Sequence, residues 1–354
     1  MTHRKRGIWT RTTIGSAALA ALAVLAVQGC APAAPATTAP AAPATADAGV
    51  QHDLSIAAAK VVYQTYLTES DAAAAQGDAT AGLAIVADAE WTQLKGQYAA
   101  LTAAGTPVPR YQYSAPRFYV PAQTGYPQWF LVSAQRRADT NGHLGPAVTT
   151  LLVFERAKAA RAWTLNGSAA LHQGQPMPAI ATDPDGYAVE ASTTDASLVL
   201  APDAVGATQA AVADEGPANP AAAVTGSGPQ TTGLYAAQAA RARAEAAQGL
   251  RYQWLLAGAP FPQFELRLAG GGALVLYGMY LNTTTEHPNL VSGSPIPVPA
   301  AFTPLLAAPS EVGYHAVYAN WTYQFAAIDP PASAPSAKID VIASTGGPSY
   351  GHAY

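Results

Sequence analysis

The sequence predicts an α+β protein of two modules, each with helices followed by an antiparallel sheet. Apolar residues first recur at helical spacing, and the spacing then changes to that of strands rich in β-branched and aromatic residues. The same order of signals returns later in the chain. We predict a first module at residues 51–173, a connecting strap at 174–202 and a second module at 203–354.

Two helices are expected at the start of the first module. Residues 56–67 place their apolar side chains on one face, and Asp53 or Ser55 can cap the helix N-terminus. A longer helix is expected over residues 80–104, because its apolar stripe ends at Gly105. Four strands then follow, separated by turn signals; they are predicted at residues 110–121, 128–137, 148–156 and 161–167.

The second module repeats this order with different lengths. A weak helix is expected at residues 205–214, and a second helix begins at Thr231 or Thr232 and runs through Gln248. Residues 264–281 predict a hairpin whose turn is the triple glycine 270–272. Further strands are predicted at residues 314–328 and 337–344.

The N-terminal residues have the pattern of a signal peptide. Basic residues precede an apolar run from Ile14 to Val27, which is shorter than the roughly 20 residues that a spanning helix needs. The run ends in Val27-Gln28-Gly29-Cys30, which resembles the lipobox of bacterial lipoproteins. The resemblance implies cleavage between Gly29 and Cys30 and attachment of a diacylglyceryl group to the sulfur of Cys30.

Cys30 is the only cysteine in the chain, so it has no disulfide partner. Each methylene that an acyl chain buries in a bilayer contributes about 0.8 kcal/mol. We therefore expect the bilayer to be a partner, with the protein lipid-anchored on the outer, extracytoplasmic face of the cell membrane. The alternative is an ordinary signal peptide with an incidental cysteine. Residues 30–50, rich in Ala, Pro and Thr, predict a disordered tether.

Charge argues against a nucleic-acid partner. Four of the 18 basic residues and none of the 22 acidic residues precede Cys30, so removal of residues 1–29 leaves a net charge of about −8. Affinity for a phosphate backbone comes mainly from Lys and Arg. We expect no binding to nucleic acid.

The sequence contains no recognisable catalytic or metal motif, and no cofactor is predicted. The seven histidines lack zinc-ligand spacing. Asp183-Pro-Asp185-Gly186 opens like a calcium loop, but Thr194 stands where a bidentate carboxylate is needed, so an Asx turn is expected. Asp88 and Glu90 point to different sides of their helix, which favours a solvated face over an acid–base pair.

Aromatic side chains are the remaining candidates for ligand binding. Tyrosine and tryptophan combine apolar area with a polar group, which suits sugars, peptides and protein surfaces. The alternative is that they build the core of an alanine-rich protein. The candidate binding residues are Tyr63, Tyr66, Trp91, Tyr98, Tyr126 and Trp129.

The lipobox and several strand and turn segments resemble a family of actinobacterial secreted lipoproteins of unknown function. These segments are residues 116–171, the run DPDGYAV from Asp183 and the run GGALVLYGMYL from Gly271. The helix-then-sheet order is similar to the cystatin-like, or NTF2-like, cone, which implies a concave sheet with a pocket under the long helix. That fold hosts enzymes and binding proteins alike.

Three functions are therefore considered. A non-catalytic binding or interaction protein of the cell envelope fits best, with an envelope protein or a wall component as its unidentified partner. The alternatives are a small-molecule carrier with a pocket under the helix of one module, and an uncharacterised enzyme. An apolar closed pocket would favour the carrier, and a pocket that gathers Asp or His with Tyr would favour the enzyme.

Overall fold

A computed structural model describes residues 53–140, 142–288, 294–306, 313–334 and 337–354. The predicted signal peptide, Cys30 and the tether lie outside the described residues. Residues Val50–Tyr354 form one compact unit. The boundaries proposed between the two modules stay a prediction.

Five α-helices are present in the described residues. They are α1 Ile56–Gln76, α2 Ala79–Ala84, α3 Asp88–Ala104, α4 Val205–Glu215 and α5 Thr232–Ala246. The predicted cap at Ser55 is confirmed, because its side chain accepts a hydrogen bond from the backbone N–H of Ala58 at 3.1 Å. Short 3₁₀ helices occur at Pro202–Ala204, Pro220–Ala223 and Ala300–Leu305.

The prediction of one continuous helix over residues 80–104 is wrong. The chain leaves the helix between α2 and α3, where Val86 pairs with Leu165. The N–H of Ala87 donates to the carbonyl of Leu165 at 2.9 Å, and the N–H of Leu165 donates to the carbonyl of Ile85 at 3.0 Å. These bonds to a distant strand replace the helical bonds that the local pattern favours.

Ten strands are described. They are β1 Arg110–Tyr119, β2 Gln128–Thr140, β3 His143–Leu144, β4 Val148–Arg156, β5 Thr164–Leu171, β6 Arg251–Gly258, β7 Phe264–Arg267, β8 Ala273–Glu286, β9 Ala316–Asp329 and β10 Asp340–Ala353. The four strands predicted in the first module are confirmed. The glycine hairpin is also confirmed, since β7 and β8 pair on either side of the turn; Gly271 in that turn has a φ of 88°, which an L side chain rarely adopts.

All ten strands form one antiparallel sheet, with the order β1-β2-β4-β5-β10-β9-β8-β6. Strand β3 pairs with β2, and β7 pairs with β8. Strand β10 joins the halves: it pairs with β9 along most of its length but with β5 at only two positions, Ala343 with Leu171 and Ser344 with Ala170. Strands of both predicted modules therefore belong to the same sheet.

The sheet is strongly curved, because strands far apart in its order touch: the ring centroid of Trp129 in β2 lies 5.1 Å from that of Phe264 in β7. In β2, Phe130 and Val132 pack beneath α1, whereas Leu131 points to the opposite face. Leu131 belongs to the same apolar cluster as Leu274 and Leu276 of β8. The inner faces of the two halves therefore enclose this cluster between them.

Helices cover the outer faces of the curved sheet. Helices α1 and α2 lie over β2 and β4, where Tyr63 is buried against Phe154. Helix α4 lies over β6 and β8, and its Val205 is buried in a cluster with Tyr277. Helix α3 lies where β5, β10 and β9 meet, at the junction of the two halves.

Candidate functional site

A partly open cavity of about 280 Å³ lies between helices α1–α3 and the sheet. We call it the helix–sheet pocket. Its walls come from all three helices, from β1 and β2, from Ser168 of β5, and from Thr345 to Pro348 of β10. It thus lies over the junction between the two halves of the sheet.

Helix α3 presents a polar stripe to the helix–sheet pocket. Glu90, Gln93, Leu94, Gln97 and Tyr98 all line it, and their spacing of three, four, seven and eight residues puts them on one helical face. An inward-facing helical stripe is usually apolar. On the α3 stripe, three side chains are polar. The space beneath the helix is therefore an open pocket lined with hydrogen-bonding groups and not a closed apolar core.

Helix α1 and the strands complete the wall. Tyr66, Ser70 and Ala74 lie four residues apart on α1 and face the pocket. In β2, Arg136 continues the helix-facing series that includes Phe130, Val132 and Ala134. A guanidinium therefore stands at a position where the series predicts an apolar side chain.

The floor of the pocket lies where β5 and β10 separate. Two backbone donors of β5 are satisfied there by side chains of the other half. The N–H of Ser168 donates to Oε1 of Gln324 at 2.6 Å, and the N–H of Ala170 donates to Oγ1 of Thr345 at 3.1 Å. The pairing of β5 with β10 ends at Ala170. Buried backbone N–H groups need acceptors, and these two side chains supply the acceptors that a neighbouring strand would otherwise provide.

Glu90 is held in place by a hydrogen-bond network. Its Oε2 accepts from Oγ of Ser168 at 2.7 Å and from Nε2 of Gln324 at 2.9 Å. Nε2 of Gln324 also donates to Oε1 of Gln93 at 3.0 Å. Both bonds to the carboxylate reach the same oxygen, so Oε1 of Glu90 receives none from the described residues.

Arg136 lines the same pocket. It is half-buried, and its guanidinium carbon is 4.9 Å from the ring centroid of Tyr111. Within the described part of the chain, neither Arg136 nor Glu90 has an ion-pair partner within 4.0 Å. The lining therefore contains one anionic and one cationic side chain, each without an ion-pair partner within 4.0 Å among the described residues.

Glu90 and Arg136 both affect the pKa of two pocket tyrosines, Tyr66 and Tyr113. Burial raises the pKa of Tyr66 well above its usual value, Tyr113 and Glu90 add to the rise, and Arg136 opposes it. Burial also raises the pKa of Tyr113, again with Arg136 lowering and Glu90 raising it. Both hydroxyls are therefore neutral donors at physiological pH.

The six aromatic candidates from the sequence do not form one site. Tyr66 and Tyr98 line the helix–sheet pocket. Tyr63 and Trp129 are core residues; burial raises the pKa of Tyr63 to about 12, and Nε1 of Trp129 donates to Glu190 at 2.7 Å. Trp91 and Tyr126 are exposed, and each ring is covered by one cation, from Lys95 and Arg156 respectively.

The expectation that Asp88 and Glu90 lie on a solvated face is wrong. Both are half-buried, and they join different networks. Oδ2 of Asp88 accepts from Nδ2 of Asn166 at 2.6 Å, and the same Nδ2 also donates to Glu155 at 3.1 Å. Burial raises the pKa of both Asp88 and Glu155.

Sequence reasoning missed Glu90, Gln93, Gln97 and Arg136 as pocket residues. Their signal is a polar side chain at a position that helical or strand spacing assigns to the buried face. On α3 this signal is present in the sequence at Glu90, Gln93 and Gln97, between the apolar positions of the same stripe. Arg136 and the α3 residues meet only once the strands have paired.

The acidic loop forms the expected Asx turn. Oδ1 of Asp183 accepts from the N–H groups of Asp185 at 3.0 Å and Tyr187 at 2.9 Å. Across the described residues, no three His, Cys, Asp or Glu side chains converge closely enough to hold a metal ion. No helix in the described ranges combines the length and hydropathy needed to cross a bilayer.

A buried acidic group lies away from the pocket, where the predicted strap crosses β7. Glu265 is 7% exposed, and its Oε1 has no hydrogen-bond partner among the described residues. Burial raises its pKa to about 7, and Glu190 and Asp203 add to the rise. Oε1 of Glu190 is occupied, since it accepts from Trp129 and from Gln123 at 3.0 Å.

Comparison with known proteins places the sequence in a family. It is similar to an uncharacterized lipoprotein of Streptomyces avermitilis, with 26% identity over 226 residues. The aligned part is 59% of this chain and 63% of the relative, so the chain spans less than two thirds of the relative's length. No solved structure matches it. Residues 50–347 match a family described as a domain of unknown function, and the chain therefore belongs to this family, DUF8094.

Proposed function

We propose that the protein is a lipid-anchored, extracytoplasmic binding protein of the cell envelope, and that the helix–sheet pocket holds its ligand without catalysis. The observation that carries the binding role is the pair Glu90 and Arg136, two charges in one partly open pocket without counter-ions from the described residues. A charged side chain that is removed from water is stable only with an oppositely charged or hydrogen-bonding partner. A polar ligand supplies such partners.

The anchor is supported by the sequence and by the relative. Val27-Gln28-Gly29-Cys30 has the order of a lipobox, and the similar Streptomyces protein is named a lipoprotein. We expect Cys30→Ala to leave the protein folded but to release it from the membrane fraction. Retention of the variant in the membrane pellet would contradict the lipid anchor. Mass spectrometry of the mature N-terminus identifies the modification directly.

The lining favours binding of a polar small molecule over transport of an apolar one and over catalysis. A carrier for an apolar molecule fits a closed apolar pocket, whereas this one contains charged and amide side chains. A pocket that gathers Asp or His with Tyr would favour an enzyme, whereas the residues described as lining this pocket include neither Asp nor His. The pocket lies beneath long helices, as the similarity to the cystatin-like, or NTF2-like, cone implies, but on the outer face of the sheet, whereas that similarity implies a pocket on a concave face.

The binding role can be tested by filling the pocket. Ala74 lines it, and its neighbour Ala75 is exposed on α1 outside the lining. We expect full-length protein purified from native membranes to release a small molecule on denaturation. Ala74→Phe should abolish this release, and Ala75→Phe should not. Equal release from all three proteins, measured by mass spectrometry, would contradict a ligand in this pocket.

A further inference from the structure

We propose that the ligand of the helix–sheet pocket is a small zwitterion with an apolar side chain, either a free amino acid or a dipeptide. This inference rests on the proposed binding function and specifies the chemistry of the ligand. Its basis is that one carboxylate and one guanidinium, both without ion-pair partners in the described residues, share a pocket with apolar side chains.

The carboxylate of Glu90 is prepared to receive an ammonium group. Ser168 and Gln324 both donate to Oε2 and so fix the carboxylate in one orientation. Oε1 accepts nothing from the described residues. A half-buried carboxylate oxygen in this state gains most from a charged donor, because charge-assisted hydrogen bonds are about twice as strong as neutral ones.

Arg136 is prepared to receive a carboxylate. Its guanidinium packs on the Tyr111 ring at 4.9 Å and donates to no acceptor among the described residues. The planar guanidinium matches a carboxylate with two parallel hydrogen bonds. A neutral sugar would bring it no anion.

The remaining lining and the size limit the rest of the ligand. Apolar side chains contribute much of the wall, among them Ile85, Val86, Leu94, Val108 and Pro348. They suit an apolar side chain better than the hydroxyl groups of a sugar. The volume of about 280 Å³ is just below the roughly 300–1,000 Å³ of pockets for drug-sized ligands. One or two residues therefore match it.

The test is titration calorimetry of the full-length lipidated protein in detergent with alanyl-phenylalanine. Its N-acetyl derivative lacks the ammonium group, and its C-terminal amide lacks the carboxylate. We expect each modification to weaken binding at least tenfold. Phenylalanine alone, as a further titrant, distinguishes a free amino acid from a dipeptide as the preferred form.

Variants assign the two contacts. In Arg136→Gln, the dipeptide and its amide should bind equally, since the partner of the carboxylate is gone. In Glu90→Gln, the dipeptide and its N-acetyl derivative should bind equally. Arg137→Gln and Glu69→Gln, at exposed positions, are matched controls that should retain the wild-type preferences. Thermal melting of each variant checks that it is folded.

Three results would overturn the inference in distinguishable ways. Absence of heat with both phenylalanine and the dipeptide at millimolar concentration rejects the ligand class. Binding of N-acetylglucosamine instead, lost in Ala74→Phe, rejects the class but keeps the proposed binding function. Binding of the dipeptide with unchanged preferences in Arg136→Gln and Glu90→Gln shows that these side chains do not recognise it.

Discussion

Ser168 of β5 is joined to Gln324 of β9 at the point where β5 separates from β10: the N–H of Ser168 donates to Oε1 of Gln324 at 2.6 Å. The same Gln324 side chain donates to Glu90 and Gln93 of α3. It is 4% exposed. One side chain therefore links both halves of the sheet to the helix that lines the pocket.

We expect Gln324→Leu to lower the free energy of unfolding by about 2–4 kcal/mol, because a buried backbone donor and a carboxylate lose their partners while the volume stays similar. Urea unfolding measures the change. Gln253→Leu is the control, since Gln253 is an exposed glutamine on β6. An effect of Gln324→Leu no larger than that of the control would show that the network adds no stability.

Gly96 allows α3 to approach β10 closely. A Cβ at this position would lie 2.1 Å from the carbonyl oxygen of Pro348. Glycine to alanine in a helix interior normally gains up to about 1 kcal/mol. Here we expect Gly96→Ala to cost roughly 1–3 kcal/mol instead, because the helix must move away from the strand.

Thermal unfolding measures the sign of this change. Gly258→Ala is the control, because a Cβ there meets nothing within 4 Å. If Gly96→Ala raised the melting temperature, there would be room for a methyl group between α3 and the Pro348 carbonyl, which would contradict the close contact of α3 with β10.

Glu265 should make stability depend on pH. Its pKa rises from 4.5 to about 7 on folding, mainly through burial. The folded state therefore favours the protonated form. This contribution is complete below pH 4.5 and is lost as the pH rises through about 7. At 1.36 kcal/mol per pKa unit, the loss is about 3 kcal/mol.

We expect Glu265→Gln to be more stable than the wild type above pH 7 and to lose less stability between pH 4.5 and 7. Asp214 and Asp329, whose pKa values burial raises to about 6, titrate with the same sign, so some pH dependence should persist. Melting temperatures at several pH values give the comparison. An unchanged pH profile in Glu265→Gln would place the titration elsewhere.

Removal of residues 31–49 should change the melting temperature by less than about 2 °C. A segment of this composition cannot bury enough apolar surface to add to the core. Calorimetry of the shortened protein, with Cys30 kept, provides the measurement. A fall of several degrees would mean that the tether packs against the folded residues.

Local chemistry made much of the fold predictable. The hairpin follows from the triple glycine at 270–272, the start of α1 from Ser55, and the strands of the first half from their alternating and aromatic residues. Each of these features is decided by residues close together in sequence. The resemblance to a lipoprotein family agrees with the Streptomyces relative.

Features decided by distant residues were not predictable in this way. The break between α2 and α3 depends on Leu165, and β10 continues through Gly346, Gly347 and Pro348 because β9 pairs with them. Those three residues disfavour a strand locally. The pocket is hidden for the same reason, since Arg136 and Glu90 are 46 positions apart in the sequence.

The curvature of the sheet also limits how the protein can be divided. Leu131, Leu151 and Val153 are buried in one apolar cluster with Leu274 and Leu276 of the opposite half, and the Trp129 ring contacts Phe264 across it at 5.1 Å. A fragment made by proteolysis or cloning between the halves would lose the two paired positions of β5 with β10 and single bridges of the strap, but would expose this whole apolar surface to water. Such a fragment would be prone to aggregate even if each of its own strands formed correctly.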